Sequence, residues 1–406
     1  MGELKNRKYS GYRSFQYLDP GRDYKIFEPT KEIARVEPYT VPLSASEEKR
    51  VVSLYQNCIV IALHDHALTL PANLNHLFDW NREGRYPTAY EGLSSSCLDA
   101  IFDNLWAGFA TLTSKGGWRF DDVVGDLGMR LCDIAHQDFV FRADRVSDII
   151  KAHQEGKVAF IPGIESSTPL ENELDRIDIL YGLGVRMMGL TYNESNMLGS
   201  GLKEENDGGL TSFGHQVVRR MNKLGMAIDV SHSGEKTSLD CIHASKKPVF
   251  ISHAGAKGLW NAKRMKSDEV IKACAERGGI IGIEASPHTT FSRKHPQMDI
   301  DTVMDHFEYC VDLVGMEHTS FGLDALYGDH VGLHDLLGGG MAMSEVTVEM
   351  GTREEPTRVN YVRGMENPTE GYNNIMRWLV KHGYSDEEIM KVVGGNILRA
   401  LNEVWA

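Results

Sequence analysis

The sequence predicts an α/β fold of the (β/α)8 TIM-barrel class, and three observations carry that prediction. Eight short apolar runs recur along the 406 residues, and segments with helical spacing lie between most of them. The runs are near-continuous rather than alternating, as expected of parallel strands buried on both faces. Residue types that bind metals recur where these runs end, and the C-terminal ends of the strands are where a (β/α)8 barrel places its site.

Taken in order, residues 1 to about 43 are polar and aromatic with little periodicity, an arm expected to lie over a domain surface. The spacing Ser44-Ala-Ser-Glu47 is a capping box and opens the first helix. Residues 1–50 are therefore assigned to the arm and first helix, and 51–406 to the barrel domain. The runs fall at about 58–64, 106–113, 157–164, 184–190, 225–230, 247–252, 279–284 and 318–323. Phe213–Leu224 and Ser267–Glu276 have the helical spacing expected before the fifth and seventh strands. The stretch 325–368 is long and Gly-rich, and reads as an insertion looping over the barrel mouth. A last capping box, Ser385-Asp-Glu-Glu388, opens the C-terminal helix.

Composition narrows the function. The chain is 42% hydrophobic and 25% charged, with a formal net charge of −14. An acidic balance argues against nucleic acid or an anionic membrane as the main partner, because both need a basic face. No stretch of 18 apolar residues occurs and the N-terminus lacks an apolar signal region, so a cytoplasmic protein is expected. The six cysteines are scattered, with no C-x-x-C, and read as free thiols in a reducing compartment. Nucleophile-elbow, phosphate-loop, H-E-x-x-H and dinucleotide motifs are missing from the sequence.

What the run ends do carry is coherent. His64 and His66 end the first run, Glu165 the third, Tyr192 and Asn193 follow the fourth, His232 the fifth, His253 the sixth and Asp324 the eighth. In an extended strand residues i and i+2 face the same side, so both imidazoles of His64-x-His66 can share one cation. A lone histidine is more often a hydrogen-bonded core residue, and a lone carboxylate a helix cap or ion pair; the coincidence at strand ends favours a metal site. Four imidazoles and a carboxylate exceed what one tetrahedral ion needs, so two divalent ions are expected, with Glu165 between them. A shared water would be acidified toward hydroxide, and Asp324 would take its proton and deliver it to a leaving amine. The remaining histidines read as surface or packing residues; for His288 and His330, which follow the last two strands, lining the mouth is the other reading.

Several stretches, in order, resemble the renal (membrane) dipeptidase family of binuclear zinc hydrolases in the amidohydrolase superfamily. They are Ala62-Leu-His-Asp-His66, Pro162-Gly-Ile-Glu165, the block Gly209–His232, Pro248–His253, Arg264-Met-Lys-Ser-Asp268, Gly322-Leu-Asp324 and Gly383–Asn396. The resemblance covers roughly residues 55 to 405 and implies an amidohydrolase-type barrel. It implies Zn2+ as the metal, with ligands at His64, His66, Glu165 (bridging), His232 and His253. It implies Asp324 as the proton-transferring carboxylate and Arg264 as the residue that binds a substrate carboxylate through its guanidinium fork. The other reading of Arg264 is a surface ion pair with Asp268. A small-molecule substrate and a homo-oligomer, dimer or higher, are likewise implied.

Two departures stand in the same stretches. The family motif H-x-D is His64-Asp-His66 here, which exchanges an anionic ligand for a neutral one; strand alternation points Asp65 away from the axis. A histidine usual on the fourth strand is Tyr192, which can donate a hydrogen bond to a developing oxyanion, with Asn193 beside it at the substrate. The expected function is hydrolysis of the amide bond of a dipeptide-like carboxylate; the alternative is changed chemistry, lactone or other amide hydrolysis or metal-assisted decarboxylation.

Overall fold

Near-continuous apolar strands do form the centre of the molecule, in a computed structural model that describes residues 5–105, 119–341 and 343–405. The strands are β1 (Ile61–Thr69), β2 (Ala100–Asn104), β3 (Val140–Arg142), β4 (Val158–Ile164), β5 (Met187–Gly189), β6 (Ala227–Asp229), β7 (Val249–Ala254), β8 (Ile280–Ile283), β9 (Thr319–Phe321) and β10 (Ala325–Tyr327). They pair in parallel in the order β10-β1-β2-β4-β5-β6-β7-β8-β9, with β3 added at the N-terminal half of β4.

β9 and β10 are two halves of one barrel position. β9 pairs with β8 (Ile281↔Thr319, Ile283↔Phe321), and β10 pairs with β1 (Asp65↔Ala325, His66↔Leu326). The strand changes partner across residues 322–324, so the pairing path returns to β1 and gives the eight positions of a (β/α)8 barrel. Gly322 permits this: a Cβ there would lie 2.1 Å from the Ser252 carbonyl and 3.1 Å from the His64 nitrogen. Asp324 follows with φ +58°, and its N–H donates to the His64 carbonyl at 3.0 Å.

Ile61, Leu63, Phe102, Ile161, Met187, Ala227, Phe250 and Ile280 all belong to one buried cluster with Ile397, Ala400, Leu401 and Val404 of the helix Asn396–Val404. Because these side chains come from strands all round the ring, they fill its interior with apolar volume, and the polar site is left to the strand ends. A larger cluster packs the outer faces of the strands against the helices, among them Val217, Val218 and Met221 of Ser212–Leu224 and Val270, Ile271 and Cys274 of Asp268–Glu276.

Both capping boxes form, at Ser44 before Ala45–Asn57 and at Ser385 before Asp386–Met390. The run expected at 106–113 falls entirely on residues outside those described, and the strand found at this barrel position is Ala100–Asn104. That segment was hidden in the sequence because Asp99, Asp103 and Asn104 interrupt its apolar character, yet all three are buried. The Gly-rich stretch after Asp324 holds β10 and the helices His330–Met341 and Met343–Thr347 before an irregular segment. The arm lies over its own barrel: Lys5 Nζ is 2.6 Å from Asp99, Tyr12 donates to Asp133 at 2.7 Å, and the Val41 N–H donates to Asn374 at 3.0 Å. Among the described residues no helix is long and apolar enough to cross a membrane.

Candidate active site

The two histidines of β1 stand at i and i+2 on one strand and so project to the same side. His66 donates from Nδ1 to the Asn104 carbonyl at 3.0 Å, which fixes the tautomer and turns Nε2 toward Asp324 Oδ1 at 3.2 Å. His64 Nδ1 lies 2.8 Å from the Asn104 side-chain amide and 3.3 Å from Ser252 Oγ. Its Nε2 is buried without a hydrogen-bond partner, 3.1 Å from Glu165 Oε1 and 3.6 Å from Asp324 Oδ1. Asp65 faces the other way, as alternation requires, and accepts the Ala325 N–H at 2.8 Å.

Glu165 follows β4, and its Oε1 is also 3.5 Å from His253 Nε2 and 3.7 Å from His232 Nε2. His253 closes β7, and its Nδ1 meets Ser252 Oγ at 2.8 Å. His232 lies just beyond β6, its Nδ1 donating to Asn193 Oδ1 at 2.9 Å. These Nδ1 contacts leave the two Nε2 atoms facing each other at 3.0 Å beside the Glu165 carboxylate. Bare nitrogen lone pairs converging on a carboxylate repel unless a cation lies among them, so this donor set fits divalent metal. Among the described residues three groups have their ligand atoms within 4.8 Å of one another, His64–His66–Glu165–Asp324, Glu165–His232–His253 and His64–Asp229–His253, and Glu165 belongs to the first two.

The electrostatics differ between the two groups that share Glu165. Burial holds His232 and His253 well below the ordinary imidazole value, and so keeps them neutral, the form that ligates. Burial works the same way on His66, but the hydrogen bond to Asp324 and the charges of Asp324 and Glu165 outweigh it and raise its pKa. Burial alone would raise Asp324; the His66 contact and the charge of His253 instead hold it well below the usual carboxylate range. Asp324 is thus ionised, positioned at the strand break, and able to accept a proton. Tyr192 stacks on the His232 ring with centroids 4.3 Å apart, and burial keeps its phenol protonated.

Arg264 is buried, and its partner is not Asp268, which accepts from Tyr309 at 3.0 Å. Instead its Nη2 donates to Glu284 Oε2 at 2.5 Å and to the His253 carbonyl at 3.1 Å. Asn193 Oδ1 is engaged by His232, so its side chain orients that imidazole. His330 contacts Ser286 Oγ at 3.4 Å and lies 4.5 Å, ring to ring, from His334. His288 adopts φ +64° and meets the backbone of Val359.

Sequence reasoning missed Asn104, Asp229, Ser252 and Glu284. Asp229 accepts from the Ser231 and Ser252 hydroxyls at 2.6 and 2.7 Å, and Ser252 in turn touches both His64 and His253. The signal for Asp229 and Glu284 was available: each ends or directly follows a strand whose end already carried a named ligand or a predicted run.

The family model for membrane dipeptidase (peptidase family M19) matches residues 48–339. Dipeptidase tcpJ of Claviceps purpurea is 28% identical over 282 residues, covering 69% of this chain and 58% of that protein. Dipeptidase aclJ of Aspergillus oryzae is 26% identical over 317 residues, covering 76% of this chain and 67% of that protein. The chain therefore spans less than two thirds of the length of the first of these relatives. Among solved structures, an amidohydrolase from Pseudomonas aeruginosa superimposes with a TM-score of 0.69 at 27% identity, covering 87% of this chain and 99% of that one.

Proposed function

Because the chain belongs to the membrane dipeptidase family, peptidase family M19, we propose that it is a metal-dependent hydrolase that cleaves the amide C–N bond of a dipeptide or dipeptide-like small molecule. The observation that carries this reading is the single carboxylate oxygen, Glu165 Oε1, common to two groups of imidazoles, with ionised Asp324 beside one of them. His64, His66, Glu165, His232 and His253 would hold two divalent ions, proposed to be Zn2+. Bound there, such ions supply Lewis acidity that polarises a carbonyl and makes water a nucleophile near neutral pH.

The chain's own groups then do the rest. Asp324 Oδ1, kept ionised by His66, takes the proton of the attacking water and returns it to the leaving nitrogen. The Tyr192 hydroxyl donates to the carbonyl oxygen as that atom gains negative charge. Arg264 offers Nη1 to a polar group at the far end of the substrate. Association of the chain as a dimer or higher oligomer is part of the same proposal.

The test is amine release from a panel of L,L-, L,D- and N-acyl substrates by zinc-loaded protein. Hydrolysis of a panel member is expected from the wild type. Asp324→Asn should retain its metal content while turnover falls by about 10²–10⁴-fold; full activity in that variant removes Asp324 from the proton-transfer role. A second reading is favoured by His66 and Tyr192, which change the charge and the donor next to the scissile group: lactone hydrolysis or decarboxylation on the same scaffold. Release of CO2 without amine would establish that chemistry instead.

A further inference from the structure

Resting on the metal-dependent reading above, we propose that Asp229 is a positioning residue for both metal groups at once, acting through the single hydroxyl of Ser252 on one histidine of each. It places the Nδ1 proton of His64 and of His253, and so bares the Nε2 atom that each turns toward Glu165.

The contacts start at a buried carboxylate. Asp229 ends β6 and is 4% exposed. Its Oδ1 accepts the Ser231 hydroxyl at 2.6 Å, the Ser252 N–H at 2.8 Å and the Ser231 N–H at 3.1 Å. Its Oδ2 accepts the Ser252 hydroxyl at 2.7 Å. A serine hydroxyl has one hydrogen. With that hydrogen given to Asp229, Ser252 Oγ offers only lone pairs to His253 Nδ1, at 2.8 Å, and to His64 Nδ1, at 3.3 Å. A ring nitrogen facing a lone pair carries the proton, and a neutral imidazole protonated on Nδ1 has a bare Nε2. The Asn104 amide does not oppose this, because a half-turn exchanges its oxygen and nitrogen and lets it meet His64 Nδ1 with whichever the proton requires.

His64 and His253 belong to different groups around Glu165, so one hydroxyl serves one imidazole of each. Their rings stack with centroids 3.5 Å apart, and both Nδ1 atoms reach the same oxygen. The third group, His64–Asp229–His253, has the same explanation. Ser252 Oγ already stands among its three residues, so it holds a hydrogen-bonded hydroxyl where the other two would hold ions. Asp229→Asn would reverse these contacts although it is isosteric. Its oxygen would stay with the donors at Oδ1 and its nitrogen would face Ser252 Oγ. The serine hydrogen would then pass to an imidazole Nδ1, and that ring would carry its own proton on Nε2, where it blocks a metal.

The test is zinc titration of the chain against a competing chelator. Wild type should bind two zinc ions, and in Asp229→Asn both affinities should fall by about 10–100-fold while the metal-free chain melts close to the wild-type midpoint. With isotope-labelled histidine, the zinc-loaded wild type should show hydrogen-bonded Nδ1–H signals for His64 and His253, and Asp229→Asn should lose at least one. Ser231→Ala is the control: it removes a hydrogen bond to the same carboxylate but touches neither ring nitrogen, and should bind zinc as the wild type does. If Asp229→Asn does not fold, Ser252→Ala, which leaves the Oδ1 bonds of Asp229 in place, decides by the same fall at both positions. Unchanged affinities, a fall at one position only, persistence of both signals, or an equal fall in Ser231→Ala overturns the proposal. Failure of the amide-hydrolysis reading shows separately, as two zinc ions bound with no amine released. A wild type that binds no zinc overturns both.

Discussion

Asn104 shows how much of this site depends on one residue that is not itself among the candidate ligands. Its backbone carbonyl accepts from His66 Nδ1 and its side-chain amide meets His64, so both histidines of β1 are oriented from the end of β2, but only the His64 contact depends on the asparagine side chain. Gly163 on the adjacent strand makes room for it, because a Cβ there would lie 2.6 Å from Asn104 Oδ1. Asn104→Leu should weaken zinc binding by about 10–100-fold, read by titration against a competing chelator. The metal-free protein should melt close to the wild-type midpoint, while the rise in midpoint on adding zinc is reduced; unchanged zinc affinity would deny Asn104 this role. The histidines were legible in the sequence because i, i+2 spacing on a strand has a direct geometric meaning. Asn104 was not, since an asparagine amid apolar residues carries no signal until the partner strand is known.

At the scale of the element, the divided last strand matters most. β9 and β10 together make one barrel position, and the join at Asp324 delivers to the ring the carboxylate proposed to transfer protons. Asp65 secures that join by accepting the Ala325 N–H from inside a buried environment. Asp65→Ala should cost about 1–3 kcal/mol in urea unfolding, because a buried N–H loses its acceptor. A variant as stable as the wild type would show that the join is held elsewhere. The sequence placed a strand at 318–323 and Asp324 at its end, but the pairing switch depends on β1 and β8, elements some 40 to 250 residues away. Likewise the helix His330–Met341 stands where the Gly-rich stretch reads as loop, since the Gly338-Gly-Gly340 tract lowers helix propensity.

For the molecule as a whole, the arm is a titratable clasp. Glu32 accepts the Gly92 N–H at 2.8 Å, and burial pushes its carboxyl from 4.5 up to about 7. Between those values the folded chain keeps a proton that the unfolded chain has released. Stability therefore falls as pH rises from about 4.5 to about 7, by an amount of order 1–3 kcal/mol from this group. Glu32→Gln keeps an acceptor for Gly92 and cannot ionise. Melting midpoints at pH 5 and pH 7 should drop further in the wild type than in the variant, and equal drops would remove Glu32 from the pH response.

The sequence by itself determined the barrel class, the capping boxes and the set of imidazoles and carboxylates brought to one ring. Apolar periodicity and i, i+2 spacing are local properties, and the end of a parallel strand has one place to go in this fold. Only the tertiary structure decided which carboxylate oxygen the imidazoles share, that Arg264 is paired with Glu284 rather than Asp268, and that Asn104 orients both histidines of β1. Those are contacts between residues from 20 to about 100 positions apart, set by strand register and by the burial that forces each polar atom to find a partner.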